Sequence, residues 1–354
     1  MTNTDQVRAV LDSIKDQGTG KSVLELDWLG YIRVNPPRII LRLSLPDFAQ
    51  KQRDRIVKEI REKLQNFDDI NDVQIELANS TKGNIGQDGH GEVTSLQAID
   101  GVKRIIAVSS GKGGVGKSTV AVNLACSMAQ QGFKVGLLDA DIYGPNTPTM
   151  LGVANHLPEV SGSGANQRIN PIDSFGISMV SMGLLIDEDQ PVIWRGPMLN
   201  GIIRQFLYQT SWGEKDFLVV DLPPGTGDAQ LSLAQAVPMS GVLIVTTPQK
   251  VSLQDSRRGL AMFKKMNVPV IGVVENMTAF IPPDQPNKKY QLFGSGGGKQ
   301  LAEENNVPLL AQIPMEMVEL NEENEEKPIV HRDAESITAK AFTSLAKVVV
   351  QFAL

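Results

Sequence analysis

A doubly wound α/β fold, with a mostly parallel sheet and a small α/β domain ahead of it, is what this 354-residue sequence predicts. Three observations carry that reading. From residue 101 onward, short continuous apolar runs alternate with helical stretches, the pattern of parallel strands buried on both faces. Residues 1–78 have a different texture, with two helical and three strand-like segments. Between them, 79–100 (NSTKGNIGQDGHGEVTSLQAID) is polar and glycine-rich with almost no apolar period, which reads as a flexible linker.

Taken in order, VRAVLDSIK and KQRDRIVKEIREKLQNF have helical periodicity, and in the second Val57, Ile60 and Leu64 share one face. GYIRV and RIILRLSL read as strands joined by the turn-prone Asn35-Pro36-Pro37, and NDVQIELA offers a third. In the larger domain, 101–354, the strands are RIIAVSS, KVGLLDA, GISMVSM, DFLVVDL, GVLIVTT, VPVIGVV and PLLAQI. STVAVNLACSMAQQ, MLNGIIRQFLYQ and LQDSRRGLAMFKK are among the helices between them. The C-terminal SITAKAFTSLAKVVVQFAL is expected to pack on the sheet, since Lys340 and Lys347 are too few cations for a membrane-surface helix.

Composition narrows the function classes. A net charge of −6 and a pI near 5.3 argue against a general nucleic-acid binder. The small cluster Arg257, Arg258, Lys264 and Lys265 reads as a solvated helix face. No apolar run has the length of a membrane span, and MTNTDQVRAVLDS lacks a signal-peptide core. The single cysteine, Cys126, excludes an intrachain disulfide and fits a reducing compartment, so a cytoplasmic protein without membrane or nucleic-acid partners is expected.

The strongest motif is SSGKGGVGKST, between the strand RIIAVSS and a helix. Gly111 to Ser118 satisfy G-x-x-x-x-G-K-[ST], the phosphate-binding pattern. Gly113, Gly114 and Gly116 leave room for backbone N–H groups around phosphate oxygens, Val115 lies between them, and Thr119 follows in the helix whose N-terminus favours an anion. Lys117 is placed to reach the outer phosphates and Ser118 to ligate Mg²⁺. Lys112 is a second cation one residue into the turn, with a candidate role at the γ-phosphate of a partner subunit. Asp139 and Asp141 lie just past one strand and Asp221 at the end of another, where open α/β sheets place ligands. Asp221 fits the carboxylate that holds the Mg²⁺ hydration shell, with Asp139 in support, and Gly225 and Gly227 flank a segment able to move.

The loop GKGGVGKST resembles the deviant phosphate loop of ATPases that include septum-site and partitioning proteins and the nitrogenase iron protein. That resemblance implies ATP-dependent homodimers, a trans-acting Lys112, and Asp141 positioning the attacking water. It also implies adenine recognition by Asn276 in VVENM, with Pro314 in QIPME covering the base. DADIYGPN, WRGPM, WGEKDFLVVDLPPGTGD and VVENM, in this order, further resemble the Mrp/ApbC family of iron–sulfur cluster carrier ATPases over 101–350. The N-terminal unit is similar to the small domain found ahead of the ATPase in many members and alone in iron–sulfur assembly factors.

The family resemblance implies ATP and Mg²⁺ as cofactors, a [4Fe–4S] cluster held at a dimer interface by a C-x-x-C pair shortly after ENM, and delivery to apoproteins. Here ENMTAFIPPDQPNKKYQLFG carries prolines, Asp284 and lysines at that place, so no cluster ligand is identifiable. LSLPDFAQ likewise lacks the cysteine that relatives often carry in the first domain. Cys126, flanked by Leu124, Ala125 and Met128, reads as a core residue, and His90, His156 and His331 show no ligand spacing. The expected activity is Mg-ATP hydrolysis coupled to dimer rearrangement, in a carrier or adaptor of iron–sulfur assembly. The alternative is an ATP-switched binding module of the partitioning or septum-site type, without cluster cargo.

Overall fold

In the computed structural model, residues 2, 4–16, 19–26, 28–43, 50–67, 69–77, 96–141, 144–161, 167–185, 196–285, 287–317 and 324–354 are described. Of the expected linker, 79–95 lies outside them, as do His90, 44–49 of the LSLPDFAQ segment, Ile142 and Tyr143, and Trp194 and Arg195. The chain divides into two units, Met1–Glu92 and Val93–Leu354.

The first unit runs α1 (Thr4–Asp12), β1 (Leu29–Asn35), β2 (Arg38–Leu43), α2 (Gln50–Leu64) and β3 (Asp72–Leu77). β1 and β2 form an antiparallel hairpin closed at Asn35↔Arg38, so the two prolines make the whole turn, and β3 adds in parallel to β2. Val7 and Leu11 of α1, Ile60 and Leu64 of α2, and Ile39 and Leu41 of β2 share one core, against which Val57 also packs. α1 stops short of the predicted end because Lys15 leaves the helix to bridge Ser22.

The second unit begins with β4 (Ile105–Ser110), α3 (Lys117–Gln130), β5 (Val135–Asp139) and α4 (Thr147–Met150). A short ribbon, β6 (Val160–Ser161) and β7 (Arg168–Ile169), precedes β8 (Ile172–Ser174), β9 (Ile177–Ser181) and α5 (Gly196–Tyr208). Then follow β10 (Phe217–Asp221), α6 (Asp228–Ala236), β11 (Gly241–Thr246), α7 (Lys250–Lys265), β12 (Val270–Ile281), α8 (Gly297–Asn305), β13 (Leu309–Glu316), α9 (Ile329–Arg332) and α10 (Ile337–Ala353). The sheet order is β13-β12-β11-β4-β10-β5-β9-β8, with β8 antiparallel at one edge and every other pair parallel.

Alternation along β4 explains the layers. Ile106 and Val108 face the core containing Leu124 of α3 and Phe342 and Leu345 of α10. Ile105 and Ala107 face the opposite core, with Leu207 of α5, Leu233 of α6 and Phe263 of α7. From β4 the chain steps past β10 to β5, and later from β10 across to β11. That reversal puts a crevice at the C-terminal ends of β4 and β10, where such sheets hold ligands. The C-terminal helix packs on the sheet as predicted, burying Phe342, Leu345, Ala346, Val349 and Val350.

Two strand ends differ from the sequence reading. VPVIGVV predicts an end at Val274, yet β12 continues to Ile281, and β13 runs on to Glu316 beside it. The polar Glu275 and Asn276 do not break the strand because both side chains find buried hydrogen-bond partners. An irregularity between Asn276 and Phe280, with Met277 at φ 55, absorbs the change of register. Residues 96–100 of the expected linker are also fixed: Tyr208 donates to the Gln97 carbonyl at 3.0 Å, and Ile99 is buried.

Candidate nucleotide site

The crevice is built around the turn from β4 into α3. Gly116 has φ 78, and a Cβ there would collide with Asn276 Nδ2, so both backbone geometry and packing exclude a side chain. Gly111 is pressed against the main chain of Asp255 and Ser256 on α7, which leaves no room for a Cβ. Gly113 and Gly114, by contrast, would direct a Cβ into open space, so their lack of side chains keeps a cradle clear. Val115 is buried and anchors the turn in the core below.

Lys117 and Asp221 make a buried ion pair at 2.6 Å, with Asp141 Oδ2 3.9 Å and Ser118 Oγ 3.4 Å from the same ammonium. β10 and β5 pair in register, so Asp221 and Asp139 stand side by side at their strand ends. Both oxygens of Asp139 are engaged: Oδ1 accepts the Asp141 N–H at 3.1 Å and Oδ2 the Ser181 hydroxyl at 3.0 Å. It therefore braces the Asp141 backbone. Burial, reinforced by Asp221, pushes its pKa up to about 7. Burial also raises the pKa of Asp221, against the pull of Lys117.

Asp221 Oδ2 is buried without a hydrogen-bond partner. An orphaned carboxylate oxygen beside the Ser118 hydroxyl, in a cluster with more acids than cations, fits a divalent metal. Lys112 contributes its carbonyl to the Ser110 hydroxyl at 2.9 Å, and among the described residues its ammonium makes no ion pair.

Next to the turn, Thr119, Asn276, Ile313, Pro314, Thr338 and Phe342 line a cavity of about 190 Å³. Asn276 donates through Nδ2 to the Val115 carbonyl at 2.9 Å, tying the strand that carries the cavity wall to the phosphate loop. The structure thus places Asn276 and Pro314 together beside the loop. It also adds groups that the sequence does not flag. Thr338 and Glu316 form part of the wall, with the Glu316 carboxylate accepting the Thr338 N–H at 2.6 Å. Gln230 clamps the segment after β10, donating to the Pro223 carbonyl at 2.5 Å and accepting from Ser109 at 3.2 Å. No local motif marks these residues; the nearest signal is the glutamine closing PPGTGDAQ.

The family description "NUBPL iron-transfer P-loop NTPase" matches residues 101–350, and an iron–sulfur cluster assembly protein family matches 4–77. The chain belongs to the NUBPL iron-transfer P-loop NTPase family. An iron–sulfur cluster carrier protein of Synechocystis sp. is 50% identical over 98% of this chain and 97% of its own length. The iron–sulfur protein required for NADH dehydrogenase, mitochondrial, of Arabidopsis thaliana is 44% identical over 74% of this chain and 82% of its own. Among solved structures, an ADP-bound nucleotide-binding protein from Archaeoglobus fulgidus is 33% identical over 70% of this chain and 88% of its own, with a TM-score of 0.53.

In this family member the segment after β12 is folded back on itself. Phe280 and Tyr290 exchange main-chain hydrogen bonds of 2.8 and 2.9 Å, closing a loop through the exposed Pro283, Asp284 and Lys288. Cys126 is fully buried in α3, and burial pushes its thiol up to about 12. His331 lies in the one-turn α9 with its ring 4.9 Å from that of Phe175. The basic cluster on α7 is engaged locally: Arg257 pairs with Glu304, Arg258 with Asp255, and Lys264 donates to the Asn305 carbonyl.

Proposed function

We propose that this protein is a magnesium-dependent ATPase that works as an adaptor in iron–sulfur cluster transfer, with thiolates of other proteins holding the cluster. The observation that carries the ATPase reading is the meeting of Lys117, Asp221 and Asp141 beside a base-sized cavity walled by Asn276. In this reading the loop N–H groups and Lys117 bind the phosphates, while Asn276 and Pro314 hold adenine. Ser118 and Asp221 hold Mg²⁺, which neutralises charge on the phosphate oxygens when bound. Asp139 fixes Asp141, and Asp141 orients the attacking water. Lys112 acts across a homodimer on the partner's γ-phosphate.

The names of the relatives and the N-terminal family match support a place in cluster transfer. The adaptor role follows from Cys126, the single cysteine in the sequence, buried in the core with its thiol held protonated. A [4Fe–4S] cluster usually takes four thiolates, and this chain offers none at its surface. The test is anaerobic reconstitution of the purified protein with iron and sulfide, with phosphate release measured in parallel. A colourless, iron-free protein that turns over Mg-ATP is expected. A stoichiometric cluster on the isolated chain overturns the adaptor role, and absence of turnover overturns the ATPase.

A further inference from the structure

Gln230, in the first turn of α6, is 1% exposed and uses both ends of its amide. Nε2 donates to the Pro223 carbonyl at 2.5 Å, and Oε1 accepts the Ser109 hydroxyl at 3.2 Å. A methionine would fill the same space without two polar groups to satisfy in the core, so packing alone does not call for an amide. The turn that Gln230 grips follows directly on Asp221. Pro223 and Pro224 carry no N–H, so the main chain of 222–225 can donate only from its two ends. Leu222 donates to the Val108 carbonyl at 3.0 Å, and Gly225 donates to the Ser110 carbonyl, also at 3.0 Å. Gly225 stands at φ 93, and Thr226 and Gly227 beyond it are exposed. Gln230 adds a fixed point between the two ends, from outside the turn.

Ser110 carries that hold into the phosphate loop. Its carbonyl accepts from Gly225, and its hydroxyl donates to the Lys112 carbonyl at 2.9 Å. Ser109, Ser110, Pro223, Gly225 and Gln230 thus form one hydrogen-bonded unit, which joins the turn after Asp221 to the end of the loop that bears Lys112. Lys117, Ser118 and Asn276 bond elsewhere: to Asp221, to one another and to the Val115 carbonyl. We propose that Gln230 is a positioning residue for hydrolysis. Through the Pro223 carbonyl it aligns the turn, and through Ser110 it aligns the Lys112 end of the loop. That role rests on the ATPase reading above and divides it in two. Groups assigned to phosphate, metal and base bind nucleotide without Gln230, whereas turnover requires it.

The experiment compares the full-length parent with Gln230→Met, which keeps the length and bulk of the side chain but removes its amide. Phosphate release from Mg-ATP, ADP titration and amide hydrogen exchange are read on both. In the variant kcat is expected to fall about 10- to 100-fold, as misplacement of reacting groups does. ADP affinity stays within about threefold of the parent's, so the loss falls on kcat and not on binding. The Gly225 amide exchanges about tenfold faster, while amides of β11 keep the parent rate. Gln230→Asn, which draws the amide back by one methylene, shows the same split and replaces the methionine variant if that one fails to fold. The proposal is overturned if kcat stays at the parent value, if ADP affinity falls in step with kcat, or if Gly225 exchanges at the parent rate. A parent without turnover sinks the ATPase reading instead, and Gly225 exchange in the variants then decides whether Gln230 fixes the turn.

Discussion

Lys117 and Lys288 hold their charges in opposite ways. Lys117 is 6% exposed, 2.6 Å from Asp221, and locked among acids contributed by two adjacent strand ends. Lys288 is exposed on the loop after β12, its ammonium 5.2 Å from the Tyr290 ring centroid. At the first place each side chain is another's counter-charge or hydrogen-bond partner, so substitutions propagate. At the second, main-chain hydrogen bonds close the loop, and the side chains are largely free of one another. The cluster around Lys117 is thus tightly specified, while the loop after β12 is held chiefly by its main chain.

The sharpest way to break that contrast is Lys117→Ala. It leaves Asp221 buried without its cation, which costs roughly 3–5 kcal/mol, and it removes nucleotide binding altogether. Urea denaturation of the nucleotide-free protein reads the first effect and ADP titration the second. Unchanged affinity would mean that the buried pair is not part of the nucleotide site.

Asp139→Asn probes the same cluster through pH. The folded state keeps the Asp139 proton up to about 7, whereas the unfolded chain releases it near 3.8. The folded state therefore binds more protons across roughly pH 4 to 7, and this group's contribution to stability falls as pH rises through that window, by at most roughly 4 kcal/mol. The asparagine variant shows a shallower decline and greater stability above neutrality. Part of the slope remains, because burial raises Asp221 as well. Urea midpoints measured across the window check this, and a slope equal to the parent's would show that Asp139 does not set it.

Gly116→Ala comes next, at about 2 kcal/mol from the left-handed backbone and the contact with Asn276. In an Asn276→Ala background the contact disappears and only the backbone strain remains, on the order of 1 kcal/mol. A double-mutant cycle by urea denaturation reads the difference, and strict additivity would remove the steric link between loop and strand.

These residues also show what the sequence makes legible. The glycines and Lys117 sit in a contiguous pattern because one turn must supply every phosphate contact, so their spacing is diagnostic. Asp139 and Asp221 are readable because strand ends in a parallel sheet converge on one crevice. Glu275 carries no signal in the sequence, since its partners, Gly298 and Gln312, are 23 and 37 positions away. Thr338 and Glu316 are invisible for the same reason: only the docking of α10 brings the helix start to the cavity beside the phosphate loop. Apolar runs locate strands well, but they cannot show that a polar residue has a buried partner and lets a strand continue.

The loop after β12 gives the smallest effects and the cleanest separation of backbone from side chain. Tyr290→Ala removes a half-exposed ring and its contact with Lys288 but keeps both main-chain hydrogen bonds to Phe280. It is expected to cost less than about 0.5–1 kcal/mol. Tyr290→Pro removes the N–H that donates to the Phe280 carbonyl at 2.9 Å, so it costs more than the alanine variant. Neither change touches Asn276 or the phosphate loop, and ADP affinity stays at the parent value in both. Hydrogen exchange at Tyr290 in the parent and at Phe280 in all three proteins follows the opening of the loop, while ADP titration follows the site. If the alanine variant opened the loop as far as proline does, side-chain packing would hold this segment, and the contrast with Lys117 would fail.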